Sequence, residues 1–355
     1  MFPTFDGHND ILLRLYNAPD KREEIWLTGE GKGHLDLPRM KKGGFVGGFF
    51  AIYIPSPHED DGVDYNQLME NPPYLLPLPA LITDAQAVPV AMAMAGHMLW
   101  MERASDGRFK MVRSLAEIRD CMARGVIAGI LHMEGAEAIG DNLDALHAFH
   151  AMGLRSIGPV WSRPTIFGQG VPFGFPAGPD TGAGLTEAGK RLVRECNALK
   201  IMIDLSHVTE KGFDDVAALS DAPLVATHSN AHAITPTTRN LTDRQLAVIK
   251  ASGGMVGLNF ATSFLRRDGK QSADMGWQDV LAHLDHLIEH LGEDHVGMGS
   301  DFDGATVPKG IADVAGLPAL QQAMLDHGYG AALMRKLTHE NWLNLLERTW
   351  GAQGS

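Results

Sequence analysis

Eight short apolar runs recur along the chain, and most are followed by polar or glycine-rich residues and then by a helical pattern. The runs are largely continuous in apolar residues, which is typical of strands covered on both faces in a parallel sheet. They span residues 3–7, 45–54, 126–132, 155–160, 201–205, 223–227, 255–260 and 295–299. Eight alternating strand and helix units predict an α/β fold of the (β/α)₈ TIM-barrel type.

The chain of 355 residues contains no Ser/Gly-rich linker and no shift in composition that would divide it. We therefore expect a single barrel domain over residues 1–355. Two insertions interrupt the alternation, at about residues 55–79 after the second strand and at about 161–184 after the fourth. Both follow the carboxyl ends of strands, which form the catalytic face of such barrels, so we expect them to shape a substrate pocket.

Composition and charge exclude several classes of partner. The formal net charge is −13 and no dense Lys/Arg cluster occurs, which argues against nucleic acid and anionic membranes as partners. Prolines and polar residues break the apolar stretch 74–100 well before membrane-spanning length. Two unpaired cysteines and no visible secretory signal predict a reducing, cytoplasmic location. Barrels of this size often pair, so a homodimer is possible.

Histidines and acids follow the carboxyl ends of five predicted strands. If the barrel prediction is right, they converge on one rim, although each signal alone is weak. The candidates are His8 and Asp10 after the first strand, Glu134 after the third, His207 after the fifth, His228 after the sixth and Asp301 after the eighth. His132 and His232 are interpreted as structural or supporting residues, and Asp303 as a helix N-cap.

Imidazole and carboxylate ligands without thiolate favour Zn²⁺, with Mn²⁺, Co²⁺ or Fe²⁺ as possible substitutes. Five ligands are too many for one tetrahedral catalytic zinc, so the pattern predicts two metals. One would be bound by His8 and Asp10 and the other by His207 and His228, with Glu134 shared. Such a pair favours hydrolysis by a hydroxide that bridges the metals, and Asp301 is placed to transfer the proton.

The motifs resemble, over nearly the whole chain, the membrane (renal) dipeptidase family of binuclear zinc peptidases with amidohydrolase-like barrels. The motifs that carry the resemblance are DGHND, GGFFAIY, MEG, GLTEAGKRLVRECNALKIMIDLSHV, APLVATHSNAHAI, TRNLTD and GMGSDFDG. The resemblance implies the same five metal ligands, a dipeptide substrate with L,L or L,D stereochemistry, and proton transfer by Asp301. It also implies that Arg239 binds the substrate's C-terminal carboxylate, a role that suits the planar guanidinium fork.

The chain departs from the family after the fourth strand, where relatives carry a histidine thought to polarise the scissile carbonyl. Residues 156–184 contain no histidine, and the nearest substitutes are Trp161 and Arg163. Tyr53, Trp161, Phe167, Phe173 and Phe175 are candidates for the pocket wall. Two other functions stay open: an amidohydrolase acting on an N-acyl amino acid, a lactone or a phosphoester, and an inactive barrel in which metals only stabilise the fold.

Overall fold

The computed structural model describes residues 1–56 and 65–351. Eight of the strands in these residues form one parallel barrel, in the order β8-β6-β5-β2-β1-β11-β10-β9. The strands are β1 Thr4–Asn9, β2 Phe45–Tyr53, β3 Tyr74–Leu75, β4 Phe109–Met111, β5 Ile127–Glu134, β6 Leu154–Ile157, β7 Gly174–Phe175, β8 Met202–Ile203, β9 Val225–Ala226, β10 Met255–Asn259 and β11 Val296–Gly299. All eight predicted barrel strands are present, and the predicted fold is confirmed.

The barrel closes between β8 and β9 through an isolated bridge and not through a continuous ladder. A single parallel bridge joins Asp204 to Val225, and the Leu205 amide donates to the Val225 carbonyl oxygen at 2.8 Å. By contrast, β2 and β5 pair over seven successive positions, from Gly47 with Ala128 to Tyr53 with Glu134. The strands therefore form a nearly closed barrel, and the join between β8 and β9 is short.

The sequence pattern did not predict one strand of the sheet. β4 is only three residues long and pairs with the first half of β5, in register from Phe109 with Ile127 to Met111 with Gly129. Three residues hold too little periodicity to distinguish a strand from a loop.

Helices cover the outside of the barrel and its amino-terminal end. They are α1 Ile11–Asn17, α2 Leu37–Gly43, α3 Tyr65–Met69, α4 Asp84–Ala104, α5 Leu115–Arg124, α6 Asp144–Met152, α7 Glu187–Ala198, α8 Glu210–Leu219, α9 Asp243–Ala251, α10 Thr262–Leu265, α11 Trp277–Leu291, α12 Leu317–Asp326, α13 Ala331–Arg335 and α14 Asn341–Trp350. Thr186 caps the start of α7, because its hydroxyl accepts from the Gly189 amide. Within the described residues, no helix combines the length and apolar character that a membrane crossing requires.

The last helix closes the barrel at the end where the strands begin. Trp342 of α14 is fully buried, and its indole donates to the Met298 carbonyl oxygen at 3.0 Å. A Cβ on Gly297 would lie 2.7 Å from the indole nitrogen, so only glycine lets β11 approach this ring. Since this end is filled by side chains, solvent reaches the barrel from the opposite end, where the strands finish.

The two insertions meet over that open end. β3 lies in the first insertion and β7 in the second, and they pair antiparallel, Tyr74 with Phe175 and Leu75 with Gly174. Residues 57–64 of the first insertion lie outside the described residues. The two predicted pocket-forming segments are thus joined to each other across the mouth of the barrel.

Candidate metal centre and active site

The six residues predicted from the strand ends lie around one cavity at the barrel mouth. His8 is in β1, which extends further than predicted, and Glu134 is the last residue of β5. A cavity of about 820 Å³ is lined by four of the six, Asp10, Glu134, His207 and Asp301. His8 and His228 are buried directly behind them, at 0% and 1% exposure.

The Glu134 carboxylate is the centre of the cluster. Its Oε1 atom lies 2.9 Å from Nε2 of His207, 3.3 Å from Nε2 of His228 and 3.5 Å from Nε2 of His8. The Asp10 carboxylate lies 3.4 Å from the same Nε2 atom of His8. The Nε2 atoms of three imidazoles, which come from three different strand ends, therefore all face one oxygen of Glu134.

The hydrogen bonds behind His228 determine what its Nε2 can offer. The Thr227 hydroxyl donates its single hydrogen to Asp204 Oδ2 at 2.6 Å, so it can only accept from Nδ1 of His228, 2.8 Å away. Burial lowers the pKa of His228 well below its ordinary value, which favours the neutral ring. A neutral ring with its hydrogen on Nδ1 points a lone pair at the Glu134 carboxylate, an arrangement that is unfavourable unless a cation lies between them.

His8 supports the same conclusion. It is fully buried, yet neither of its ring nitrogens has a hydrogen-bond partner among the described residues. Its ring stacks on His228 with centroids 3.9 Å apart. One ligand atom each from His8, Glu134 and His228 lie within 4.8 Å of one another, as do those of His8, Asp10 and Asp301. Buried polar atoms without partners are costly, and the donor set fits metal ions.

Burial and neighbouring charges move the pKa values of the cluster residues far from their ordinary values. Burial raises the pKa of Glu134 well above its ordinary value, and burial also lowers the pKa of His207 well below its own. For His8, burial opposes protonation, but the nearby charges of Glu134 and Asp10 outweigh it and raise the pKa to about 10. The His8 shift shows that the surrounding carboxylates create a negative potential at this ring, which also favours a bound cation.

Asp301 occupies a left-handed backbone conformation, with φ of 58°, at the turn after β11. Its amide donates to the His8 carbonyl oxygen at 3.1 Å, and Asn259 donates to its Oδ2 atom at 2.9 Å. A Cβ on Gly304 would lie 2.5 Å from Asp301 Oδ1 and 2.2 Å from Asp10 Oδ2, so glycine is needed for this close approach. Burial raises the pKa of Asp301.

Arg239 reaches the cavity from the loop after β9. Its guanidinium donates to the carbonyl oxygens of Ser206 and His228 and lies over the Phe264 ring, 5.2 Å from the centroid. Its Nε has no partner among the described residues, and burial lowers its pKa to about 10. The group is thus held rigidly, with donor capacity left over beside the cavity.

An aromatic wall lies next to His207. The Trp161 ring is 6.0 Å from the His207 ring, 5.0 Å from Tyr53 and 5.8 Å from Phe173 between centroids. Of the five aromatic candidates, Tyr53, Trp161 and Phe173 line the cavity. Phe167 is buried elsewhere and Phe175 packs on Tyr74, and neither is among the described lining residues.

Comparison with known proteins identifies the family. The sequence model of the membrane dipeptidase family, peptidase family M19, matches residues 1–353. A metallo peptidase from Rhodobacter sphaeroides, solved with a phosphinate mimic of the dipeptide L-Ala-D-Ala, is 72% identical and superposes with a TM-score of 0.97. The match covers 98% of this chain and 99% of that one. The chain belongs to the membrane dipeptidase family. It is a metal-dependent dipeptidase.

Two curated relatives of this membrane dipeptidase family member are themselves uncharacterized. The protein in the pqqA 5' region of Klebsiella pneumoniae is 47% identical over 261 residues, covering 71% of this chain and 96% of that protein. The protein in the PQQ-III 3' region of Acinetobacter calcoaceticus is 41% identical over 291 residues, covering 81% and 90%.

Arg163 does not lie where the sequence prediction put it. It is completely buried and is not among the described residues that line the dipeptidase cavity. Its guanidinium donates to Glu137 at 2.8 Å, to the Ile54 carbonyl oxygen at 3.0 Å and to the Ser56 hydroxyl at 2.6 Å. The side chain fixes three strand-end loops to one another and is not exposed to the cavity.

The Asp303 interpretation was also wrong. No described helix begins at this residue, and its carboxylate accepts from Arg14 at 2.8 Å and from the His34 amide at 2.6 Å. The two histidines interpreted as structural or supporting do have such contacts. His132 lies 2.9 Å from the Ser156 hydroxyl, and His232 lies 3.0 Å from the Ala177 carbonyl oxygen.

Three supporting residues of the dipeptidase site were missed. Ser162 bonds Nδ1 of His207 at 2.9 Å, and Thr227 and Asp204 support His228. Such outer partners orient ligand histidines in metal sites. A signal was present in the sequence, because Thr227 immediately precedes His228 and Asp204 stands three residues before His207, but local spacing alone did not distinguish them from ordinary turn residues.

Proposed function

We propose that this dipeptidase acts with two zinc ions, one bound by His8 and Asp10 and the other by His207 and His228, with Glu134 shared between them. The observation that carries the proposal is the convergence of three Nε2 atoms, 2.9 to 3.5 Å away, on Glu134 Oε1. Two neutral imidazoles facing a carboxylate favour a cation between them.

Bound zinc would supply Lewis acidity, which polarises a carbonyl group and makes a bound water more acidic. Mn²⁺, Co²⁺ or Fe²⁺ suit the same nitrogen and oxygen donors. Since the five ligands come from four strand ends of the barrel, the protein fixes their positions before substrate arrives.

Asp301 is proposed to transfer the proton. It lies in the cavity wall, Asn259 holds one of its oxygens, and its raised pKa brings it closer to the range in which a carboxylate exchanges protons near neutral pH. In peptide hydrolysis, Asp301 would accept a proton from the attacking water and deliver it to the leaving amine.

Arg239 is proposed to bind the substrate's C-terminal carboxylate. The carbonyl oxygens of Ser206 and His228 fix its orientation, so little side-chain freedom is lost on binding. Tyr53 and Trp161 would contact the substrate side chains from the aromatic wall. Arg239 lines the same cavity as four of the candidate metal-site residues, which favours short substrates. The mimic bound by the Rhodobacter sphaeroides relative makes L,D as well as L,L dipeptides the first candidates.

The test is zinc reconstitution of chelator-treated protein, with amino-acid release measured for L,L, L,D and D,L dipeptides. We expect activity to reach its maximum when two equivalents of zinc per chain are bound at the catalytic cluster. N-acetylated and C-amidated dipeptides are the matched controls, and both should be poor substrates. Saturation at one equivalent would overturn the two-zinc proposal, and preference for N-acyl amino acids would favour the amidohydrolase alternative.

A further inference from the structure

A second cluster of metal-ligating side chains lies on the outside of the barrel, between α9 and α11. His286 and His290 are one helical turn apart on α11, and Asp243 is the first residue of α9. Asp243 Oδ1 lies 2.7 Å from Nε2 of His286, and the two imidazole rings stack with centroids 4.2 Å apart and an interplanar angle of 23°. One ligand atom from each of the three residues lies within 4.8 Å of the other two.

The cluster contains one more histidine than an ion pair requires. Asp243 and His286 would satisfy each other alone, yet the His290 ring also stacks beside them. Metal ions bind imidazole in its neutral form, through a ring nitrogen. Histidines four residues apart on a helix face the same side, so both can reach one ion.

We propose that Asp243, His286 and His290 form a surface binding site for a late transition-metal dication, with Zn²⁺, Ni²⁺ and Cu²⁺ as the matching class. Two imidazole nitrogens and one carboxylate oxygen make three protein ligands, and solvent completes the shell. The Asp243 side chain is 49% exposed and that of His286 is 16% exposed, so an ion can enter from one side.

The site would join two helices of the outer layer. α9 begins at Asp243, four residues after Arg239, so a metal here would fasten the start of this helix to α11. The proposal does not depend on the zinc pair at Glu134, because the two sites share no residue.

The experiment is equilibrium dialysis of the metal-loaded enzyme against micromolar free Zn²⁺, with bound metal measured by elemental analysis. Wild type should bind one more equivalent of zinc per chain than His290→Gln. His327→Gln is the matched control, since His327 is a surface histidine paired with Asp285 at 2.8 Å, and it should bind as wild type does. Added Zn²⁺ should raise the melting temperature of wild type by about 2 °C or more, and that of His290→Gln by less.

Cu²⁺ provides an independent readout of the ligands. The difference in the electron paramagnetic resonance spectrum between wild type and His290→Gln should show nitrogen coupling. Equal metal content in wild type and His290→Gln would overturn the proposal, as would a difference spectrum without nitrogen ligands. Dipeptidase activity should be unchanged in His290→Gln, which separates a failure of this site from a failure of the catalytic one.

Discussion

Glu134 and Glu137 are buried carboxylates three positions apart at the end of the same strand, and their surroundings differ. Glu137 accepts from the Arg163 guanidinium at 2.8 Å, and both side chains are fully buried. Glu134 faces three imidazole nitrogens. A buried charge that meets a protein cation is neutralised and braces the structure, whereas one surrounded by electron-pair donors leaves its charge available to a bound ion.

Replacing each carboxylate by its amide should give the largest contrast. Glu134→Gln should lose bound zinc and lower kcat/KM for a dipeptide by about 10³-fold or more, a loss typical of removing a strong electrostatic stabiliser. Its metal-free form should be about as stable as wild type, because burial raises the pKa of Glu134 and already disfavours its charged form. Glu137→Gln should keep its zinc but lose stability. Elemental analysis measures the bound zinc, steady-state kinetics measures kcat/KM, and denaturant unfolding measures stability. Equal zinc loss in both variants would contradict the proposed difference between Glu134 and Glu137.

Removing Arg163 tests how much its ion pair with Glu137 contributes to stability. Arg163→Met should lower the free energy of unfolding by about 3–5 kcal/mol, because Glu137 is left as an unpaired buried charge. The double variant Arg163→Met/Glu137→Leu should recover most of that loss, as measured by urea denaturation. If the double variant is as unstable as the single one, the hydrogen bonds of Arg163 to Ile54 and Ser56 matter more than its ion pair.

The same two residues show what the sequence could and could not predict. Glu134 ends a long apolar strand, and since parallel strands in a barrel end on one rim, its place beside His207 and His228 followed from strand order. Arg163 lies in an irregular loop, where the direction of a long side chain depends on Glu137, a partner that no local pattern connects to it. The prediction therefore put its charge in the pocket, and the structure puts it in the wall behind.

The supporting contacts show the same limit on a smaller scale. Ser162, Thr227 and Asp204 are common residue types in loops and strand ends, and only tertiary contact reveals which ones meet His207 or His228. The short strand β4 and the antiparallel pairing of β3 with β7 likewise depend on neighbours distant in sequence. Regular alternation is readable from one chain, whereas contacts between loops are not.

Thr227→Val tests how strongly the ligands around Glu134 depend on outer support. The change keeps the side-chain shape but removes the hydroxyl that accepts from His228 and donates to Asp204. We expect zinc affinity to fall by about 10- to 100-fold, the usual cost of losing such a partner. Competition with a chelator of known affinity measures it. Thr349→Val, which removes a buried hydroxyl in α14, is the control and should bind zinc normally.

The smallest effect expected is a pH dependence of the stability loss in Arg163→Met. Burial already raises the pKa of Glu137 above its ordinary value of 4.5, and the Arg163 charge opposes that shift. Without Arg163 the folded-state pKa rises further, while the unfolded chain still titrates near the ordinary value. Between these two values the folded state binds a proton that the unfolded state does not, so stability increases as the pH falls.

The stability gap between wild type and Arg163→Met should therefore narrow on going from about pH 8 to pH 5, by up to about 1.4 kcal/mol per pH unit. Unfolding midpoints across this range provide the measurement. The double variant lacks the Glu137 carboxylate, so its gap to wild type should not narrow in this way. A gap for Arg163→Met that stays constant with pH would mean that Glu137 does not retain a buried charge when its partner is removed, and the contrast with Glu134 would then rest on metal binding alone.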